Sequence, residues 1–185
     1  MTRKQSKLLT TFLTLLIAVL LSVQKGDLSL LHLPQLASAT AIYGTSSYLV
    51  VRVVDGDTID IERAGVRERV RLIGINSPES VDPRRPVECF GKEASKYASS
   101  ILGGQRVTVA SDPTQSTKDK YGRSLFYVYL PGGRSFNELM IEEGYAHEYT
   151  YHTPYRYQQE YKAAERDARA NMRGLWASTT CNGFK

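Results

Sequence analysis

At 185 residues, with 42% hydrophobic and 23% charged positions, the chain has the makeup of one globular domain with extensions, large enough to bury a core, which excludes a disordered or low-complexity protein. Its formal charge of +5 is weak evidence for a polyanionic partner: without Arg3, Lys4, Lys7, Lys25 and Asp27, all in the first 39 residues, 20 basic residues face 18 acidic ones, net +2. An anion site must therefore be local, built from particular arginines and lysines.

The N-terminus reads "MTRKQSK" followed by sixteen apolar or small residues, "LLTTFLTLLIAVLLSV", the layout of an export signal. Ala37-Ser38-Ala39 offers a cleavage site, so residues 1–39 are expected to be a signal peptide, with an uncleaved membrane anchor as the alternative. Sixteen residues fall short of the roughly 20 that a spanning helix needs. Either way the chain is expected to be extracytoplasmic, secreted or tethered. Residues 40–47 read as a linker, 48–178 as the folded domain and 179–185 as a tail. From Tyr48 the alternation in "YLVVRVVDGDTIDIERAGVRERVRLIGI", with Asp-Gly and Ala-Gly turns, predicts consecutive antiparallel strands. "GKEASKYASSILGG" predicts a helix over about Lys92–Leu102 that stops at Gly103. "QRVTVAS" and "RSLFYVYLPGG" return to period two, and "SFNELMIEEGYA" predicts a short helix ending at Gly144. A longer helix follows in "PYRYQQEYKAAERDARANMRGLW", with Tyr157, Tyr161, Ala164, Ala168 and Met172 as its core-packing face. Cys89 and Cys181 are an even count in a chain bound for an oxidising space, so a bridge that ties down the tail is expected, against two buried thiols. These elements describe an α+β protein: a five-stranded barrel of the oligonucleotide-binding (OB-fold) type with about three helices.

The stretches "VVDGDT", "VRLIGINSPE", "GKEAS", "DKYGR", "FNELMIEEGYA" and "GLW" follow one another from Val53 to Trp176. In that order and spacing the chain resembles the staphylococcal nuclease (thermonuclease) family. The resemblance implies an endonuclease that hydrolyses phosphodiester bonds in DNA, preferably single-stranded, and in RNA, with calcium (Ca²⁺) as cofactor, little sequence specificity and 3′-phosphate products. It implies no protein partner, and a monomer is expected.

The same resemblance assigns roles, each of which suits the residue's chemistry. Asp57 matches the calcium-binding aspartate, and a hard cation takes oxygen ligands. Asp55 and Gly56 shape the turn before it. Arg71 and Arg123 match the arginines that clamp the phosphate, a task for a rigid five-donor guanidinium. The other reading of Arg71 is a surface partner for Glu68. Glu79 matches the glutamate that orients or deprotonates the attacking water. Asn76 departs from the pattern, since the family carries an aspartate there; it offers the metal a neutral oxygen, with the Ser77 carbonyl beside it. Lys120 and Tyr121 belong to the groove edge, and Tyr149 and Tyr151 to a base-stacking surface. His32, His147 and His152 lack a zinc-ligand arrangement. Two other classes compete: a noncatalytic OB-fold module that binds nucleic acid independently of metal, and a membrane-tethered scaffold.

Overall fold

A computed structural model describes residues 46–184. The expected signal peptide, its cleavage site, His32 and most of the linker lie outside the described residues. Seven strands and three helices follow in order: β1 (Ser47–Val53), β2 (Thr58–Arg63), β3 (Val66–Leu72), β4 (Ile75–Asn76), α1 (Gly91–Leu102), β5 (Arg106–Ala110), β6 (Ser124–Tyr129), α2 (Phe136–Glu142), β7 (His147–Glu148) and α3 (Gln158–Ala170), with a final 3-10 turn at Gly174–Trp176. Five strands close a barrel in the order β1-β2-β3-β6-β5, while β4 and β7 pair beside it.

The barrel begins with a meander in which β2 and β3 pair antiparallel from Thr58↔Arg71 to Arg63↔Val66. Their two-residue turn, Ala64-Gly65, has φ of 50° and 73°, the left-handed pair that a tight hairpin demands. Closure needs partners distant in sequence: β3 runs parallel to β6, and β5 pairs antiparallel with both β1 and β6. Ile59 and Ile61 on β2, and Val70 and Leu72 on β3, take alternate positions and are buried. Each such side chain contributes about 1.5–3 kcal/mol by leaving water. The expected α+β barrel of the oligonucleotide-binding type with three helices is the fold observed.

The helices pack buried faces against the core. Ala94, Ala98 and Leu102 form a stripe at every fourth residue of α1, and all three are buried. Small alanines let that helix approach the barrel closely. Ser135 caps the start of α2: its hydroxyl oxygen accepts the Glu138 N–H at 3.2 Å. From the same helix the buried Asn137 donates to the Ile73 carbonyl at 2.8 Å and accepts the Val128 N–H at 2.9 Å, which fastens α2 to the barrel. On α3, Tyr161 and Ala168 are buried as expected, but Met172 does not share their face. The helix ends at Ala170, and Met172 sits beyond it at φ 51°, 61% exposed. Its i+4 spacing holds only while the helix continues, and the chain leaves it two residues earlier.

Candidate active site

The β1–β2 turn and the end of β3 build the first wall of a cleft. The Asp55 carboxylate accepts the Asp57 N–H at 2.9 Å, so Asp55 does shape the turn. Gly56 is required for a second reason. A Cβ there would lie 2.6 Å from Ser77 Cβ, so only glycine lets this turn press against the loop after β4. That contact brings Asp57 to Ser77, whose N–H donates to Asp57 Oδ2 at 2.9 Å; the Thr58 hydroxyl donates to Oδ1, also at 2.9 Å.

Arg71 stands on β3 between buried Val70 and Leu72, so alternation turns it off the barrel wall. Its Nη2 lies 3.1 Å from Asp57 Oδ2, and its Nη1 donates to the Leu72 carbonyl. Glu68, the other partner that sequence allowed, is taken by Arg63 at 3.5 Å and by the Ser124 hydroxyl at 2.5 Å. Arg71 is thus a cleft residue, with its side chain only 13% exposed.

Burial first, and then the Asp57 carboxylate, hold the Asp55 carboxyl well above the ordinary aspartate range. Two carboxylates crowded beside one arginine make a place where a cation is welcome. Among the described residues no cluster of three or more His, Cys, Asp and Glu side chains is arranged for a metal. Asp57, Asn76 and Ser77, the residues expected from the sequence to hold an ion, could offer it only oxygen, a chemistry that fits a hard divalent cation, with one charge fewer than a pair of aspartates.

Glu79 follows on a loop that is closed at its base. Its N–H donates to the Glu88 carboxylate at 2.9 Å, and its carbonyl accepts the Glu88 N–H at 2.8 Å. Its own Oε1 accepts the N–H groups of Ser80, Val81 and Asp82 at 2.8–3.0 Å. Next to Glu88, Cys89 forms the expected disulfide with Cys181, Cα atoms 5.9 Å apart, and ties the loop to the C-terminal tail.

The segment before β6 brings the other phosphate-binding candidates. Asp119 holds Arg123, accepting its Nε–H at 2.6 Å and its backbone N–H at 3.0 Å. Burial pushes the Asp119 carboxyl up, but these donors outweigh it and leave the group below its usual range. Lys120 and Arg123 lie 5.1 and 5.3 Å from the Tyr121 ring centre. Tyr149 and Tyr151, the other tyrosines expected at the groove, lie beside each other with ring centres 6.2 Å apart. Tyr121, Tyr151 and Tyr149 are 72%, 59% and 40% exposed, so each stays reachable from solvent beside the Lys120 and Arg123 contacts on Tyr121 and the His152 ring on Tyr151. Arg84, on the Glu79 loop, is held by Asp82, which accepts its Nε–H at 2.9 Å and its Nη2–H at 2.7 Å.

The fold therefore brings Asp57, Arg71 and Ser77 into direct contact, with Asn76 and Glu79 next to Ser77 along the chain, sets Lys120 and Arg123 on the Tyr121 ring, and pairs Tyr149 with Tyr151. Sequence reasoning missed two supporting acids. Asp119 had a signal, the i, i+4 pairing with Arg123 inside "DKYGR". Glu88 had none, since only loop closure brings it to Glu79.

A closed five-stranded barrel with helices packed on it, and with Asp57, Arg71 and Ser77 in contact at the end of β3, is the architecture of the oligonucleotide-binding type of fold. The family described as "Staphylococcal nuclease homologue" matches residues 69–178. The thermonuclease of Staphylococcus intermedius is 42% identical over 139 residues, 75% of this chain and 80% of its own. That of Staphylococcus hyicus is 39% identical over 132 residues, 71% and 76% of the two chains, and endonuclease YncB of Bacillus subtilis is 31% identical over 137, 72% and 64%. The chain belongs to the staphylococcal nuclease family. The enzyme class expected from the sequence, a phosphodiester hydrolase, is the class of that family.

Proposed function

We infer that this chain is an exported, calcium-dependent endonuclease that hydrolyses phosphodiester bonds in DNA, preferring single strands, and in RNA, with little sequence specificity and 3′-phosphate products. The observation that carries this reading is the Arg71 guanidinium, 3.1 Å from Asp57 in a cleft that also holds Ser77. A cationic fork beside a carboxylate and neutral oxygens suits a phosphate bound next to a hard cation.

Arg71 binds a non-bridging oxygen of the scissile phosphate and holds the charge that grows there in the transition state. Glu79 orients the water and takes its proton; with Oε1 already accepting three backbone N–H groups, Oε2 is the oxygen that faces the water. The water oxygen bonds to phosphorus, the bond to the 5′ oxygen breaks, and Arg123 stabilises the departing alkoxide until it is protonated. The products are a 3′-phosphate and a 5′-hydroxyl. Calcium, when bound by Asp57, Asn76 and Ser77, supplies further neutralisation of the phosphate. Tyr121, Tyr149 and Tyr151 stack on bases through faces that every base shares, which supports low sequence specificity. Stacking also requires bases free of a duplex, which supports the single-strand preference. The Cys89–Cys181 disulfide suits export to an oxidising compartment, and among the described residues no helix is long and apolar enough to cross a membrane.

The purified chain incubated with heat-denatured DNA, in calcium or in excess chelator, tests the reading. Calcium-dependent shortening to fragments ending in 3′-phosphate is expected. Metal-independent binding without cleavage would establish the noncatalytic module instead.

A further inference from the structure

Beyond the cleft, β3 continues as "VRERVRL", and its Arg67, Arg69 and Arg71 occupy alternate positions. Alternation sets the three on one face of the strand, about 6.8 Å apart, opposite the buried Val70 and Leu72. At the hairpin end of this face opens a cavity of about 310 Å³, lined by Arg63, Arg67, Glu68, Arg69, Lys118 and Ser124 among others. Its far wall is the start of the segment that carries Lys120, Tyr121 and Arg123, closed by the bridge between Lys118 and Ser124.

The charges here are arranged in a way that favours an anion. Asp60, 0% exposed, takes Nε and Nη2 of Arg69 at 2.8 and 3.2 Å, which fixes that guanidinium and leaves Nη1 for an outside partner. Glu68, the cavity's own acid, is engaged by Arg63 and Ser124. Among the described residues Arg67 and Lys118 enter no ion pair, although Glu62 stands opposite Arg67 in the strand register. The contrast elsewhere is sharp: a second cavity, about 700 Å³, is lined by Glu138, Glu142, Glu143, Glu160 and Asp167, with Arg173 the basic residue there. A nearly neutral domain has sorted its charge, and a polyanion is drawn to the β3 side and repelled from the α2–α3 side.

We propose that the Arg63–Arg67–Arg69–Lys118 cavity is a second phosphate subsite, which holds the sugar–phosphate backbone of a single-stranded polynucleotide beyond the segment being cut. The proposal rests on the nuclease reading of the cleft and adds to it a grip on the same strand at a distance. Long strands can offer the subsite a phosphate; a dinucleoside monophosphate, whose single phosphate is the one being cut, cannot.

The test uses the full chain carrying Arg67→Ala and Lys118→Ala together, both exposed side chains outside the cleft. Binding of a labelled single strand of about 20 nucleotides is followed by fluorescence anisotropy in chelator across a salt series. Loss of two phosphate contacts is expected to weaken binding roughly tenfold at low salt and to make the slope of log K against log salt shallower by about 1.4. In calcium, cleavage of a dinucleoside monophosphate is expected to stay at the wild-type rate, while KM for the long strand rises and kcat holds. The charge-preserving pair Arg67→Lys and Lys118→Arg should keep the wild-type slope. A wild-type slope and affinity in the alanine variant, or an equal loss on the dinucleoside monophosphate, overturns the subsite. If the chain cleaves nothing yet the slope falls as expected, the nuclease reading fails and the subsite stands; if it cleaves and the slope does not move, the subsite alone falls.

Discussion

Replacing Cys89 and Cys181 together by serine opens a loop whose ends are 92 residues apart. In the chain-entropy description, a closed loop of that length removes about 4.6 kcal/mol of conformational freedom from the unfolded chain at 25 °C. The folded tail has other holds: the Gly183 N–H donates to the Leu175 carbonyl at 2.9 Å, the Thr180 hydroxyl to the Gly174 carbonyl at 2.7 Å, and Cys181 is buried. The native state therefore loses little, and the effect acts through the unfolded state. Because denatured chains are more compact than the ideal loop assumes, about 2–4 kcal/mol is expected in practice. A domain of this size loses about 3–4 °C of Tm per kcal/mol, so the double variant should melt about 6–16 °C below the oxidised wild type in a calorimetric scan at fixed calcium. Single-serine variants should match the double one, since either removes the bridge. A fall of under about 2 °C would refute the loop-entropy reasoning, and two alkylatable thiols in the native wild type would refute the bridge itself.

Three further outcomes check the cleft and its scaffold. Arg71→Ala or Arg123→Ala should each lower kcat by about 10² or more with the fold intact, because both are assigned to charge that grows in the transition state; wild-type turnover in a well-folded Arg123→Ala protein would remove it from the mechanism. Asn76→Asp should lower the calcium concentration for half-maximal activity about tenfold, with a smaller change at saturation, since affinity follows ligand charge. Calcium titration of activity measures it, and no change in calcium requirement or metal preference would mean that residue 76 is not a ligand. Asp112→Ala should cost about 3 kcal/mol in a denaturant titration. Burial would raise the Asp112 carboxyl, but the N–H groups of Arg156 and Thr114 and the hydroxyls of Tyr127 and Thr114 outweigh it and hold the pKa below 3.8. The stabilisation is therefore full above pH 3.8 and fades as pH falls through the lower folded value, so the gap between wild type and variant should narrow in acid; a gap that is constant with pH would show that the carboxylate charge is not what matters.

What the sequence determined here was local or came through motif order. Alternation in residues 48–75 announced β1 to β3 because a strand's side chains reverse face at every residue, and Gly103 and Gly144 marked helix ends within the chain's own reach. The ordered stretches from "VVDGDT" to "GLW" were enough to indicate the family, and with it the candidate residues. Where a local rule was carried past its element it failed, as at Met172, whose helical spacing meant nothing once α3 had ended at Ala170. Tertiary structure decided which of the possible partners each charge took. Arg71 had Glu68 three residues away and Asp57 fourteen away, and the choice fell to Asp57 because barrel closure carries Glu68 to Ser124 on β6 while the glycine turn at 56 brings Asp57 to the end of β3. Glu88 on Glu79 and Asp112 beneath Tyr127 and Arg156 are of the same kind, made by loops returning from 9 to 44 residues away. The β3 arginines were legible as letters, but as a charged wall they exist only once β3 lies beside the Lys118–Ser124 segment. Spacing along a chain encodes the faces of a strand or helix; which faces meet depends on the closure of the whole barrel, and a stretch read alone does not contain it.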